Sequence, residues 1–360
     1  MQSIVASMWR IGGIELEGRV VLGPMSGVTS RPYRDFMKPF GVAVSVTEMT
    51  SDMGIIHGVR RTDDYIQFER NYPTGAQLFG HDPESMAEAA ETALKWNPNI
   101  DFFDVNMGCP VKKVLRSHSG SYLMKFPKRC GEIVRTMKRR VDVPVTAKIR
   151  LGWDGNSINF REVMDELIDA GVDAIALHLR TKEEKYAGTP HYELAEDLQK
   201  EIPVPLIVSG NIYSVDDAIR AREITGAEGI MVARGGVGNP FLITQIDTFF
   251  RTGSRPDNPT VSQQIDWCLE LADRIYADRR EDIATGLMRG FAPKFISGCH
   301  KCREYRFRLA TEIVDRRSME ALFDEIRERM GDERINTGGI RCRDPDSRDG
   351  TGPLSRSSSP

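Results

Sequence analysis

The sequence predicts an α/β protein, a TIM (β/α)8 barrel followed by a smaller all-helical domain. Three observations carry that reading. Between about residues 20 and 250, eight short apolar runs alternate with amphipathic segments. Beyond a turn-rich link the strand-like runs stop and only helical spacing remains. Within the first part, polar residues gather at the carboxyl ends of the apolar runs, where barrels place their chemistry. A doubly wound open sheet competes, but no G-x-G-x-x-G follows the first strand.

The expected strands are Val20–Pro24, Val44–Thr47, Thr74–Leu78, Phe102–Val105, Val143–Ile149, Ala174–Leu177, Pro205–Val208 and Gly229–Val232. Short apolar runs bounded by turn formers suit parallel strands covered on both faces. Helices are expected over Pro83–Trp96, Lys128–Arg140, Asn159–Ala170, Val215–Thr225 and Pro240–Phe250. Asp82-Pro83 and Ser214 read as helix starts, and Gly171 and Gly226 as stops. The barrel is placed at residues 1–250 and the link at 251–261, beginning RTGSRPDNP. From 262 to 331 the spacing of Ile265, Leu269, Ala272 and Ile275 is helical. The polar, Gly/Ser/Pro-rich stretch 332–360 is expected to be a disordered tail.

With 360 residues, 40% hydrophobic and 28% charged, the chain can bury one large core and a smaller one. A net charge of -3 excludes a globally basic nucleic-acid binder, so any such contact must use a local patch. Six scattered cysteines form no disulfide framework and suit a reducing compartment. The first residues lack a signal-peptide pattern and no apolar run reaches membrane-span length. A soluble cytoplasmic monomer is expected. Cys299-His300-Lys301-Cys302 resembles half a zinc site, but no matching second pair follows, so no metal is expected.

The strand ends supply the chemistry. Strand four runs into Asn106-Met107-Gly108-Cys109-Pro110, which presents one thiol on a turn. A lone cysteine is usually a small buried hydrophobe. Here Asn106 adds an amide able to fix a planar edge, and Lys112 and Lys113 add positive charge. Lys148 lies within an apolar strand and needs an electron-rich partner, either a carboxylate or a ligand such as a reduced flavin. His178 suits a ligand edge, a phosphate or a satisfied core position. Gly210-Asn211 and Gly235-Gly236, with Arg234, suit a phosphate after strands seven and eight, since each pair precedes a helix.

These residues form a known pattern. The chain resembles the tRNA-dihydrouridine synthases over about residues 15–330. The resemblance is carried by GPMSGVTSRPYR (Gly23–Arg34), Gln77 in GAQLFG, NMGCPVKKV (Asn106–Val114), AKIRLGW (Ala147–Trp153), HLRT and YAG (His178–Thr181, Tyr186–Gly188), SGNI (Ser209–Ile212) and ARGGVGNPF (Ala233–Phe241). It implies a TIM barrel holding FMN, a helical tRNA-binding domain, and NADPH (or NADH) as electron donor. By the same resemblance Pro24, Met25, Gln77, Lys148, His178, Ser209, Gly210, Asn211, Ala233, Arg234 and Gly235 bind the cofactor. Asn106, Arg150 and Arg180 face the substrate, and Cys109 donates a proton. The expected reaction reduces specific uridines in tRNA to 5,6-dihydrouridine, with hydride from flavin N5 to C6 and the Cys109 proton to C5. A base so attacked must leave the tRNA stack.

Local positive charge suits that partner. Lys125, Lys128, Arg129, Arg135, Lys138, Arg139 and Arg140 lie on and before the helix after Cys109. Arg289, Lys294, Lys301, Arg303, Arg306, Arg308, Arg316 and Arg317 lie in the helical domain. Any single run also reads as a solvated helix face. The chain departs from the family pattern at Leu179, Asn211, Ala233 and the Ser117–Leu123 loop, where His118 and Tyr122 are bulky. Two other functions fit the residues: a flavin enzyme acting on a free small molecule, and a non-catalytic FMN-containing RNA-binding protein.

Overall fold

The computed structural model describes residues 8–59, 62–68 and 72–336. The eight expected strands form, as β1 (Val20–Leu22), β2 (Val44–Val46), β3 (Thr74–Phe79), β4 (Phe102–Asn106), β5 (Val145–Arg150), β6 (Ala174–His178), β7 (Leu206–Ser209) and β8 (Gly229–Val232). All neighbouring pairs are parallel, and β1 lies between β8 and β2, which closes the sheet into a barrel. The open doubly wound alternative is thereby excluded. A similar match holds for the helices: Pro83–Trp96 and Val215–Thr225 have the expected bounds, and Asp82 and Ser214 accept from Ser85 N and Asp217 N.

Alternate strand residues point inward. Val21, Val44, Val46, Phe102, Ala174, Ala176, Ile207 and Met231 fill the lower barrel. The ring of Phe102 occupies the space a Cβ at Gly75 would take, at 2.3 Å. A hairpin of Trp9–Ile11 and Ile14–Leu16, which the sequence reading did not foresee, adds Trp9, Ile11 and Leu16 to this cluster. Trp9 Nε1 donates to the Gly18 carbonyl at 2.8 Å, so its one polar atom is satisfied while the indole seals the floor.

Four helices follow the barrel: Val261–Asp278, Glu281–Phe295, Arg303–Thr311 and Arg316–Met330. They share one apolar core with the barrel's outer layer. Tyr33 stacks on Phe291 at 5.6 Å, and Phe241 on Trp267 at 5.5 Å. The link is shorter than expected, because one helix extends to Thr252 and the next begins at Val261 under a Thr260 capping box. Residues 332–336 do not behave as a tail. Ile335 is buried, its N–H donates to the Pro259 carbonyl at 2.9 Å, and Arg334 bridges to Thr260. The remainder of the expected tail, 337–360, lies outside the described residues. Among the described residues no helix is long and apolar enough to cross a membrane.

Candidate active site at the barrel mouth

A cavity of about 430 Å³ opens at the carboxyl ends of the strands. Cys109, Pro24, Met25, Gln77, Asn106, Lys148, Arg150, His178, Ser209, Gly210, Asn211, Ala233, Arg234 and Gly235 all line it. Strand registry explains the convergence. Asn106 is level with Lys148, and two residues further along β5 Arg150 is level with His178 and Ser209, so same-face side chains from four neighbouring strands line the cavity at two successive levels.

One expected site residue is elsewhere. Arg180 is fully buried and does not line the cavity. Its Nε donates to the Ala187 carbonyl at 2.7 Å, and its second terminal nitrogen to Gly188 at 2.5 Å. It therefore braces the 181–188 loop. Arg150 lines the cavity but is similarly occupied, donating to the carbonyls of Gly108 (2.7 Å), Thr181 (2.8 Å) and Lys185 (2.8 Å). It ties the Cys109 turn to the loop after β6.

A directed hydrogen-bond chain fixes that turn. The Asp104 carboxylate accepts from Gln77 Nε2 at 2.7 Å and from the Thr146 hydroxyl at 2.7 Å. Gln77 Oε1 accepts from Asn106 Nδ2 at 2.8 Å. Asn106 Oδ1 then accepts from the N–H groups of Cys109 (2.9 Å) and Gly108 (3.2 Å). A carboxylate only accepts, so it sets the orientation of both amides in turn. Burial raises the Asp104 pKa, against the hydrogen bonds from Gln77 and Thr146 and the charge of Lys148. Asp104 was missed by the sequence reading. The available signal was its position two residues before Asn106, on the same face of a strand.

The thiol and the ammonium differ in state. Burial pushes the Cys109 thiol above its ordinary value, although the Val111 N–H, Arg150 and Lys148 pull it down. Cys109 therefore stays protonated at neutral pH. The Lys148 side chain is partly exposed to the cavity and, among the described residues, has no hydrogen bond or ion pair. Burial, aided by nearby Arg150, lowers its pKa to about 8, against Asp104 and Cys109.

The opposite wall has further open positions. His178 Nδ1 meets Ser209 Oγ at 3.0 Å, whereas the buried Nε2 has no partner. Burial and the charges of Arg150, Lys148, Arg180 and Arg234 push this imidazole well below 6.5, so it is neutral. The helix after β7 begins outside the cavity lining: Ser214 caps it by accepting from the Asp217 N–H, and residues 214–217 do not line the cavity. After β8 there is only a short turn, Arg234–Gly236, before the helix starting at Phe241. The positive features here are backbone and Arg234. A Cβ at Gly235 would lie 1.9 Å from the Ile212 carbonyl, which explains the glycine. Asn211 adopts φ 49°, a region Asn tolerates, and its Oδ1 accepts from Arg234 at 3.3 Å. Leu179 is buried in the outer core, one residue out of phase with His178, and does not line the cavity.

Tyr186 and Met49 also line the cavity. Tyr186 lies 5.0 Å from the Arg234 guanidinium and 5.5 Å from that of Arg150. It stands eight residues beyond the end of β6, so reading strand ends alone could not reach it.

Comparisons with known proteins agree with this geometry. Residues 21–330 match the family model described as "Dihydrouridine synthase (Dus)". The chain is 38% identical over 265 residues to a probable tRNA-dihydrouridine synthase 1 of Synechocystis sp., covering 73% of this chain and 74% of that protein. It is 34% identical over 301 residues to a probable tRNA-dihydrouridine synthase of Rickettsia conorii, covering 83% and 90%. It is 32% identical over 301 residues to tRNA-dihydrouridine synthase B of Pseudomonas aeruginosa, again covering 83% and 90%. Among solved structures, 6-hydroxypseudooxynicotine amine oxidase from Pseudomonas geniculata N1 shares the fold. Its TM-score is 0.52 at 13% identity, over 73% of this chain and 52% of that one.

Proposed function

This chain belongs to the dihydrouridine synthase family and is a tRNA-dihydrouridine synthase; from that premise we propose that FMN is its flavin, Cys109 its proton donor and NADPH its electron source. The family implies a flavin. Three features of the cavity fit FMN. The unpartnered Lys148 ammonium suits the electron-rich edge of the ring. The orphaned His178 Nε2 is available to the same ligand. The Gly210–Asn211 and Arg234–Gly235 backbones with the Arg234 guanidinium suit a phosphate. Pro24 and Met25 border the ring's place, and Gln77 retains one amide hydrogen for its polar edge.

When bound and reduced, FMN would supply a hydride to C6 of uracil. Cys109 then delivers its proton to C5, the carbon left electron-rich. Its raised pKa keeps the donor form present at neutral pH, as a general acid requires. Asn106, saturated by Gln77 and the Cys109 turn, acts first as a positioning residue that aims the thiol. Arg150 holds the same turn from the other side. The uridine must be flipped out of its stack to reach this depth.

The single observation that carries the reading is that the Cys109 thiol and Lys148, which has no hydrogen bond or ion pair among the described residues, line one cavity. The test is mass spectrometry of unmodified tRNA incubated with purified protein, FMN and NADPH. A two-dalton gain at defined uridines is expected, absent with Cys109→Ala. No gain with the wild type removes the reading, and an undiminished gain with Cys109→Ala removes the donor assignment.

A further inference from the structure

The loop after Cys109 carries two bulky rings, His118 and Tyr122, that do not line the cavity. From Val105 to Gly131 the chain holds six Lys or Arg (Lys112, Lys113, Arg116, Lys125, Lys128, Arg129) and no Asp or Glu. All six are exposed. Arg129 reaches Glu132 at 3.3 Å. The helical domain uses its cations differently. Arg308 pairs with Glu325 and Glu312, Arg316 with Asp273 and Glu320, and Arg327 with Asp266. Lys301, Arg303, Arg306 and Arg317 are also exposed, but Glu304, Glu312 and Asp315 are interspersed with them, whereas the thiol loop carries its six cations with no acidic residue among them.

Aromatic rings stand within this charge. His118 is exposed and stacks on Tyr122 with centroids 4.8 Å apart and planes 24° from parallel. Exposed His81 meets His118 edge-on at 5.8 Å. Trp153, from the loop after β5, meets Tyr122 edge-on at 6.2 Å. The ammonium groups of Lys125 and Lys182 lie 3.6 and 4.0 Å from the Trp153 centroid. His118 has φ 56°, a backbone region that side chains other than Gly rarely adopt. The shelf is tied to the thiol, since Ser121 donates to the Cys109 carbonyl through both N–H (3.1 Å) and Oγ (3.0 Å).

Resting on the proposed function, we propose that the His118–Tyr122 stack is a base shelf for the nucleotide next to the target uridine. Lys125 and Lys182, held on Trp153, take the phosphate that joins the two. Pulling one uridine into the cavity unstacks its neighbour. That neighbour gains a new aromatic partner just outside the mouth. Two ammonium groups on one indole supply charge where the backbone must turn. Simple loop packing would bury these rings, yet His118 and His81 are exposed and Phe126 is 48% exposed.

The test compares wild type, His118→Ala/Tyr122→Ala and His118→Phe/Tyr122→Phe holoenzymes. The readouts are KM for tRNA, kcat at saturating tRNA, flavin absorbance and NADPH oxidation without RNA. The alanine pair is expected to raise KM roughly tenfold or more, as for loss of one stacked base. Flavin content and RNA-free oxidation should hold, and the phenylalanine pair should restore KM. An abasic residue beside the target uridine should weaken wild type and add nothing to the alanine pair. His118→Asn, which keeps tolerance for positive φ, separates ring loss from loop strain. Unchanged KM in the alanine pair, or an abasic effect that persists in it, overturns the shelf. A wild type that forms no dihydrouridine instead overturns the function on which it rests.

Discussion

The two walls of the cavity differ in how far their polar atoms are satisfied. On the β3–β5 side, Asp104, Gln77, Asn106 and Arg150 are bonded to one another or to backbone. Facing them, among the described residues, Lys148 at the β5 edge of that network has no hydrogen bond or ion pair, and His178 Nε2 on β6 has no partner. Buried polar groups are normally paired, so a closed network beside open donors separates two tasks. In the proposed reaction, the closed wall would hold the Cys109 turn in place and the open wall would face the flavin. Lys148 sits on the boundary, level with Asn106 in the sheet.

The largest effect should come from the closed wall's end point. Cys109→Ala should cut dihydrouridine formation by about 10²–10⁴, the usual span for a lost general acid, while flavin absorbance persists. Parallel loss of flavin and activity would mean that the two walls are not independent. On the open side, Lys148→Met should weaken FMN retention by about ten- to a hundredfold, as for a lost charged hydrogen bond. The wild-type dissociation constant should be flat below pH 8 and rise above it. The pKa of Lys148 is lowered to about 8, so its charged form is present below that pH and lost as pH increases. Lys148→Met should show no such rise when followed by flavin fluorescence.

Breaking the relay at its origin should cost less. Asp104→Leu leaves Gln77 Nε2 without its acceptor and frees the amides to turn, lowering kcat about tenfold with flavin retained. Asp104→Asn should be milder, since its oxygen can still face Gln77 while Thr146 accepts from its amide. Equal kcat in all three proteins would show that the relay does not aim the thiol. The smallest effect is expected from Arg180→Lys, a few-fold rise in proteolytic cleavage within 181–188 with little change in turnover, because the fork to Ala187 and Gly188 is lost.

Strand-end chemistry was legible in the sequence because barrel strands are short, apolar and ended by turn formers. That logic predicted the convergence of Asn106, Cys109, Lys148, His178 and the glycine loops, which line one cavity. It could not give side-chain direction beyond a strand's last residue, and so did not show that Arg180 lies outside the cavity lining and bonds to the Ala187 and Gly188 carbonyls. Asp104 was obscured by the apolar run around it. The Trp9–Leu16 hairpin was too short to show a period, and its sealing role depends on tertiary packing. Helix starts were readable, but not that the helix after β7 begins outside the cavity lining.

The indole plug beneath the barrel sets the route by which the enzyme resets. Among the described residues, Trp9, Ile11, Leu16 and Phe102 pack an apolar layer below the cavity. If Cys109 is the donor, as proposed, the thiolate left by each proton transfer would be recharged from bulk water through the cavity entrance, the side from which the tRNA would approach. Departure of the modified transcript and recovery of the acid are thus coupled, and a solvent isotope effect on multiple, but not single, turnovers would expose that coupling.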